Sequence, residues 1–185
     1  MNYIEKLKLS EERSNELGIG SRIPFDFSLM EEDVVNYREA SNTDLLASLI
    51  GEFGKGYWSN SCIPLAVHSF CYFKSKGIPC ELVFGEVIIN GCYEYDTTLE
   101  GLVSEWERGY SVGVMNIHVW LNIGKNLIVD PAIASRISEH YCNTLEPHQV
   151  IVGEPAQLEE QLRLQYMPIL SGAKFLERTN GIKFT

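Results

Sequence analysis

The stretch Ser59-Asn60-Ser61-Cys62-Ile63-Pro64 decides the fold prediction, because it places one cysteine at the start of an apolar helix. Asn60 or Ser61 can cap that helix, since the side-chain oxygen accepts a hydrogen bond from a free amide of the first turn. Pro64 fits the same turn, where a missing N–H removes nothing that the helix uses. The helix is predicted to end at Gly77, shortly before a proline.

A cysteine at a helix start lies in the field of the helix dipole, which favours thiolate over thiol. Downstream, the segment 116–121 supplies His118 and the segment 127–131 supplies Asp130. Cysteine, histidine and carboxylate are the parts of an activated thiol nucleophile. We therefore predict that Cys62, His118 and Asp130 form a catalytic triad.

The chain of 185 residues is long enough for one buried core, and its 45% hydrophobic and 22% charged residues are typical of a globular protein. The net charge of −10 predicts a surface that repels nucleic acid and anionic membranes. The N-terminal residues lack the apolar core of a secretory signal, and no apolar segment approaches the ~20 residues of a membrane helix. We expect a cytoplasmic protein without nucleic-acid or membrane partners.

The spacing of the five cysteines matches neither a zinc knuckle nor a small disulfide scaffold. We interpret them as reduced thiols. A cluster of His140, Cys142 and His148 is conceivable as a metal site but lacks a recognised ligand spacing, so no metal is predicted. The cysteines are Cys62, Cys71, Cys80, Cys92 and Cys142.

One domain is predicted, with a helical N-terminal extension at 1–56, a catalytic core at 57–135 and a C-terminal extension at 136–185. In the core, strands are expected at 80–89, 117–123 and 127–130, with an Asn90-Gly91 turn after the first. Between them lies an insertion at 92–115. Its aromatic residues form either a lid over the active site or a surface loop, and the sequence favours neither. These aromatic residues are Tyr93, Tyr95, Trp106 and Tyr110.

Side-chain alternation tests whether His118 and Asp130 can meet. If Gly124-Lys125-Asn126 is a three-residue hairpin loop, Ile123 pairs with Leu127, and His118, Trp120 and Asp130 share one face. A two-residue loop would turn Asp130 away from His118. We predict the three-residue loop, with Asn126 as its left-handed residue, and expect the shared face to look onto the start of the Cys62 helix.

An oxyanion formed at Cys62 needs hydrogen-bond donors. The backbone N–H of Cys62 is one candidate, because it points outward at a helix start. The second donor is left open between Asn60 and an N–H of Trp58, and Trp120 is a further candidate for substrate binding.

Three segments together resemble the transglutaminase-like superfamily. The run Gly77-Ile78-Pro79-Cys80-Glu81 continues into Leu82-Val83-Phe84-Gly85-Glu86-Val87 and is similar to the segment after the family's nucleophile helix. His118-Val119-Trp120 is similar to the family's "H-A-W" strand, and Val129-Asp130-Pro131 to its "V-D-P" strand. The match spans residues 59–132. Cys80 and Glu81 replace the usual small residue and arginine.

The resemblance implies an α+β fold, in which the nucleophile helix packs on an antiparallel sheet, and papain-like Cys-His-Asp chemistry without metal or organic cofactor. It implies an enzyme that transfers an acyl group from a peptide or protein amide through a thioester on Cys62. Water is the expected acceptor, as in a peptidase, amidase or deamidase, and amine crosslinking is less expected. The superfamily also includes members without activity.

Two alternatives stay open. An arylamine N-acetyltransferase would use the same mechanism on acetyl-coenzyme A, but no basic cluster for the coenzyme's phosphates lies near Cys62 in the sequence. A non-catalytic module would use the fold to bind a partner protein. The oligomeric state is not predicted.

Overall fold

The computed structural model describes residues 1–56, 58–110, 115–141 and 145–184, and within them the chain forms an α+β fold built on a six-stranded antiparallel sheet. The helices are α1 (Tyr3–Glu16), α2 (Glu31–Ala40), α3 (Leu46–Phe53), α4 (Cys62–Ser75), α5 (Leu99–Arg108), α6 (Ile133–His140), α7 (Pro155–Leu162) and α8 (Lys174–Asn180). The strands are β1 (Cys80–Ile89), β2 (Cys92–Tyr93), β3 (His118–Ile123), β4 (Leu127–Asp130), β5 (Ile151–Gly153) and β6 (Leu164–Ser171).

Strand β1 is the centre of the sheet, because it pairs with β3, with β6 and, at its end, with the short β2. Beyond β3 follow β4 and then β5. The predicted strands of the core are therefore present. The segment 136–185, expected as a C-terminal extension, instead supplies β5 and β6 to the same sheet. Its strand pairing is long-range, and local sequence patterns do not reveal such pairing.

The sheet separates two hydrophobic clusters. On one face α4 packs through Leu65 and Phe73 against the side chains of Val119 and Leu121. On the other face Trp120 packs with residues of α1 and α6. The body of α4 therefore packs on the face opposite Trp120, whereas its start at Cys62 adjoins the residue before His118. Side chains alternate along β3, and α4 covers the alternate set.

The N-terminal segment is helical, as predicted. Helix α2 continues through a single π-helical turn, Ser41–Leu45, directly into α3. Asn42 holds this turn to the sheet: its Nδ2 donates to the Val150 carbonyl at 2.9 Å, and its Oδ1 accepts from the Val150 N–H at 3.0 Å.

Helix α4 begins at Cys62, as expected, but its start is not capped in the predicted way. Ser61 occupies the N-cap position without a side-chain capping hydrogen bond. The end agrees with the prediction: Gly77 has a φ of +72°, and the Ile78 N–H donates to the Phe73 carbonyl at 3.0 Å. That bond is typical of a glycine-terminated helix.

The β3–β4 hairpin has the predicted three-residue loop, because Ile123 pairs with Leu127 and Leu121 with Val129. This register is the one that places His118 and Asp130 on the same face. The left-handed residue of the loop is Gly124, with a φ of +54°, and not Asn126. Within the described residues, no helix is long and apolar enough to cross a membrane.

Candidate active site

His118 and Asp130 meet at the start of β3 and the end of β4. The imidazole Nε2 lies 2.5 Å from Asp130 Oδ2, and both side chains are completely buried. The two residues are diagonal neighbours across the hairpin, as the three-residue loop requires. The other ring nitrogen, Nδ1, is buried and has no hydrogen-bond partner among the described residues.

Cys62 reaches this pair from the opposite side of the sheet, around the beginning of β3. Its Sγ lies 3.3 Å from the carbonyl oxygen of Ile117, the residue before His118. Cys62 keeps 7% of its surface exposed, whereas His118 and Asp130 have none. All three residues are therefore buried, and the histidine and the aspartate are completely shielded from solvent.

The pKa of His118 depends on both neighbours. Burial lowers the pKa, but the charge and hydrogen bond of Asp130, with a further contribution from Cys62, outweigh it and raise the pKa to about 10. The imidazole is therefore protonated at neutral pH. An imidazolium beside a thiol stabilises the thiolate.

Asp130 makes a complete set of hydrogen bonds. Its Oδ1 accepts from the Ala132 N–H at 2.9 Å and the Ile133 N–H at 3.0 Å, and its Oδ2 accepts from the Tyr166 hydroxyl at 2.9 Å. A buried carboxylate held in this way keeps its orientation. Tyr166 lies on β6 and was missed by the sequence analysis, since nothing in its local sequence marks it.

Trp58 and Asn60, the proposed oxyanion donors, are both placed near the cysteine. The Trp58 indole N–H donates to the Gly54 carbonyl at 3.0 Å, so it is not available to an oxyanion. The Asn60 amide is exposed, and its Oδ1 lies 3.4 Å from Nη1 of Arg136. Trp58 therefore supports the loop, whereas Asn60 lies on the surface beside α6.

Trp120, proposed as a substrate-binding residue, lies behind the histidine and has no exposed surface. Its ring is nearly parallel to the imidazole at a centroid distance of 5.9 Å, and its indole N–H donates to the Tyr3 hydroxyl at 3.1 Å. The alternation that brings Trp120 to the His118 face also buries it under α1. Its role in this structure is packing.

Of the four aromatic residues in the insertion, one reaches the site. The Tyr95 ring is stacked on the imidazole with a centroid distance of 4.7 Å and an interplanar angle of 15°. Trp106 is buried, and its indole N–H donates to the Leu17 carbonyl at 3.1 Å. Tyr93 and Tyr110 are exposed. Tyr95 therefore covers part of the candidate site, as a lid residue would, whereas Tyr93 and Tyr110 lie on the surface.

A charged cluster adjoins Tyr95. The Arg136 guanidinium of α6 lies 5.6 Å from the Tyr95 ring centroid and is paired with the Glu94 carboxylate. Glu94 also accepts from the Tyr141 hydroxyl. On the next turn of α6, Glu139 accepts from the Ser59 hydroxyl at 3.0 Å. Helix α6, which the sequence analysis did not predict, therefore ties the cysteine loop to the Tyr95 segment.

The remaining candidates lie elsewhere. His68 is bonded to the Ser48 hydroxyl at 2.8 Å, in agreement with a structural role. The conceivable metal cluster includes Cys142, which lies outside the described residues. Among the described residues no group of histidine, cysteine and carboxylate side chains could hold a metal ion.

The chain was compared with known families and structures. No protein-family model, curated protein or solved structure matches it.

Proposed function

We propose that the protein is a cysteine-dependent acyl-transfer enzyme with Cys62 as nucleophile, His118 as acid–base and Asp130 as the group that orients His118. One observation carries the proposal: the buried His118 imidazole is bonded to Asp130 through Nε2, and the Cys62 sulfur lies 3.3 Å from the carbonyl oxygen of Ile117, the residue next to His118. The likeness of residues 59–132 to transglutaminase-like proteins supports the same assignment.

The chemistry follows from the protonation of the pair. The Cys62 thiolate attacks the carbonyl carbon of an amide, a C–S bond forms, and the carbonyl electron pair moves to oxygen. When that pair returns, the C–N bond breaks and the His118 imidazolium gives its proton to the leaving amine. Neutral His118 then takes a proton from water as the water oxygen attacks the thioester carbon. The C–S bond breaks, which releases the acid and restores the Cys62 thiolate beside the His118 imidazolium. Asp130 keeps the ring in place throughout.

The substrate class we propose is an amide of a peptide or protein, with water as the acceptor. Of the three proposed catalytic residues, Cys62 alone keeps some exposed surface, so the substrate has to approach the start of α4. The acidic chain favours a neutral or basic segment over an acidic one. No cofactor takes part in this scheme.

Alkylation by iodoacetamide, followed residue by residue by mass spectrometry, tests the assembled pair. At about pH 6, where an ordinary thiol is almost entirely protonated, we expect Cys62 to react at least roughly ten times faster than the exposed Cys71 and Cys92. His118→Ala should slow Cys62 and leave the other two thiols unchanged.

Acylation by p-nitrophenyl acetate tests group transfer. We expect a thioester on Cys62 and release of nitrophenolate beyond one equivalent, both of which Cys62→Ser should abolish and Cys71→Ser should not. Equal reactivity of the three thiols in wild type, with no effect of His118→Ala, would contradict the proposed enzymatic function and favour a non-catalytic binding module.

A further inference from the structure

Tyr95 is held in place by a buried acid on the central strand. The Glu86 carboxylate of β1 is 3% exposed and accepts hydrogen bonds from four backbone N–H groups. The Tyr95 N–H is bonded to both of its oxygens, at 3.0 and 3.2 Å. The backbone position of Tyr95 is therefore fixed to the centre of the sheet, although the residue lies in a loop.

The hydroxyl of this fixed tyrosine has no obvious structural use. The Tyr95 oxygen is buried and has no hydrogen-bond partner among the residues that the structure describes. An unpaired buried hydroxyl is destabilising, and native proteins satisfy most such groups. By contrast, the other buried tyrosine beside the triad, Tyr166, donates to Asp130. The unpaired hydroxyl therefore calls for a partner that arrives with the substrate.

Its surroundings indicate what that partner is. The ring lies flat on His118, so Tyr95 is next to the group that serves the nucleophile. Burial raises the pKa of Tyr95 well above its usual value, and the charges of Cys62 and Asp130 raise it further. The hydroxyl consequently stays protonated and can serve as a hydrogen-bond donor. A neutral donor beside a thiolate suits an oxygen that becomes negative during the reaction.

We propose that the Tyr95 hydroxyl is a catalytic hydrogen-bond donor to the oxyanion of the tetrahedral intermediate formed on Cys62. This inference rests on the proposed function. As the C–S bond forms and the carbonyl electron pair moves to oxygen, that oxygen accepts from the Tyr95 hydroxyl. The backbone N–H of Cys62 is the other donor, because the first residue of a helix has no acceptor for it within the helix. Tyr95 thus takes the place that the sequence suggested for Trp58 or Asn60.

Two probes of Cys62 separate this role from a merely structural one. Acylation by p-nitrophenyl acetate passes through an oxyanion, whereas alkylation by iodoacetamide is a displacement at saturated carbon that develops none. We expect Tyr95→Phe to slow acylation of Cys62 by roughly 10- to 1,000-fold. Its alkylation rate should equal that of wild type, and its melting temperature should be unchanged or higher.

Tyr93→Phe is the matched control, since Tyr93 is an exposed tyrosine of β2, two residues before Tyr95. It should alter neither rate. Because Tyr95→Phe keeps the ring over His118, steric gating cannot produce the difference between the two probes.

Three results would overturn the inference. Unchanged acylation in Tyr95→Phe would show that the hydroxyl does not act on the oxyanion. Equal slowing of acylation and alkylation would show that Tyr95 positions His118 or the sulfur instead. In both cases a wild-type Cys62 that reacts with both probes would leave the proposed function standing. If neither probe modifies Cys62 in wild type, the proposed function fails and Tyr95 loses its role with it.

Discussion

At the scale of single residues, two tyrosines beside the triad differ in how their hydroxyls are paired. Tyr166 donates to Asp130, whereas the Tyr95 hydroxyl is buried and unpaired among the described residues. The same substitution, removal of one oxygen, should therefore have opposite effects on stability at the two positions.

Tyr166→Phe should lower the free energy of unfolding by about 1.5–3 kcal/mol, the usual contribution of a hydrogen bond to a charged group. Tyr95→Phe should leave the free energy unchanged or raise it. Urea unfolding of the two variants beside wild type measures both. Similar losses in the two variants would contradict the pairing described above.

The raised pKa of His118 makes stability depend on pH. The folded-state pKa of about 10 lies above the unfolded value of about 6.5, so the folded state holds a proton that the unfolded state has lost between these limits. This stabilisation is complete below about pH 6.5 and is lost as the pH rises through 10. The free energy of unfolding should fall by up to about 1.4 kcal/mol per pH unit in that window.

Urea unfolding at several values between about pH 6.5 and 8.5 checks this slope. Asp130→Asn removes the charge that raises the pKa of His118 and should flatten the dependence. The exposed variant Asp44→Asn, far from the site in sequence, should keep the wild-type slope. A stability that rises with pH in wild type would show that His118 is neutral in the folded protein.

At the scale of elements, Gly85 is the residue of β1 at which the neighbouring strands β3 and β6 leave no room for a side chain. It pairs with His118 on one side, and the register to β6 shifts between Phe84 and Gly85 on the other. A β-carbon at Gly85 would collide with the Met167 carbonyl and meet the Trp120 ring at 3.0 Å. Glycine is therefore required here by the approach of a neighbouring backbone.

Gly85→Ala should lower the free energy of unfolding by at least about 3 kcal/mol, because two packed elements have to move apart. Gly51→Ala is the control: Gly51 lies in α3 with no atom near its added β-carbon, so this variant should gain up to about 1 kcal/mol. Thermal unfolding followed by circular dichroism compares them. Equal stability of Gly85→Ala and wild type would contradict the close approach.

The elements that the sequence predicted well carry their signals locally. The glycine end of α4, the Asn90-Gly91 turn and the hairpin loop each depend on a few adjacent residues. Helix α6 and strand β6 were missed, because they are defined by packing on distant parts of the chain. The pairing of His118 with Asp130 could likewise be predicted from a local hairpin, whereas the contacts of Tyr166 and Glu86 are long-range and could not.

At the scale of the whole molecule, the fold joins its two ends. Helix α1 packs on β6, and the Ser171 N–H donates to the Ser14 hydroxyl at 2.8 Å. The Tyr3 hydroxyl contacts both Trp120 and Asn122 of β3. The segments that the sequence suggested as extensions thus cover the back of the candidate site.

A chain of residues 1–162 should lack the cooperative unfolding of the full chain. Without β6, one side of β1 is left unpaired, α1 loses the strand on which it packs and Asp130 loses the Tyr166 hydroxyl. Near-ultraviolet circular dichroism and urea unfolding measure this loss, and addition of a peptide of residues 163–185 should restore part of it. A cooperative transition in the shortened chain would show that β6 is dispensable.

The pairing of α1 with β6 also governs when the protein matures during synthesis. The ribosome synthesises α1 long before β6, because Ser171 follows Ser14 by 157 residues. Until then the apolar face of α1 and one edge of β1 stay uncovered, and both are surfaces that chaperones recognise in nascent chains. Asp130 therefore completes its hydrogen bonds only when translation has passed Tyr166 of β6.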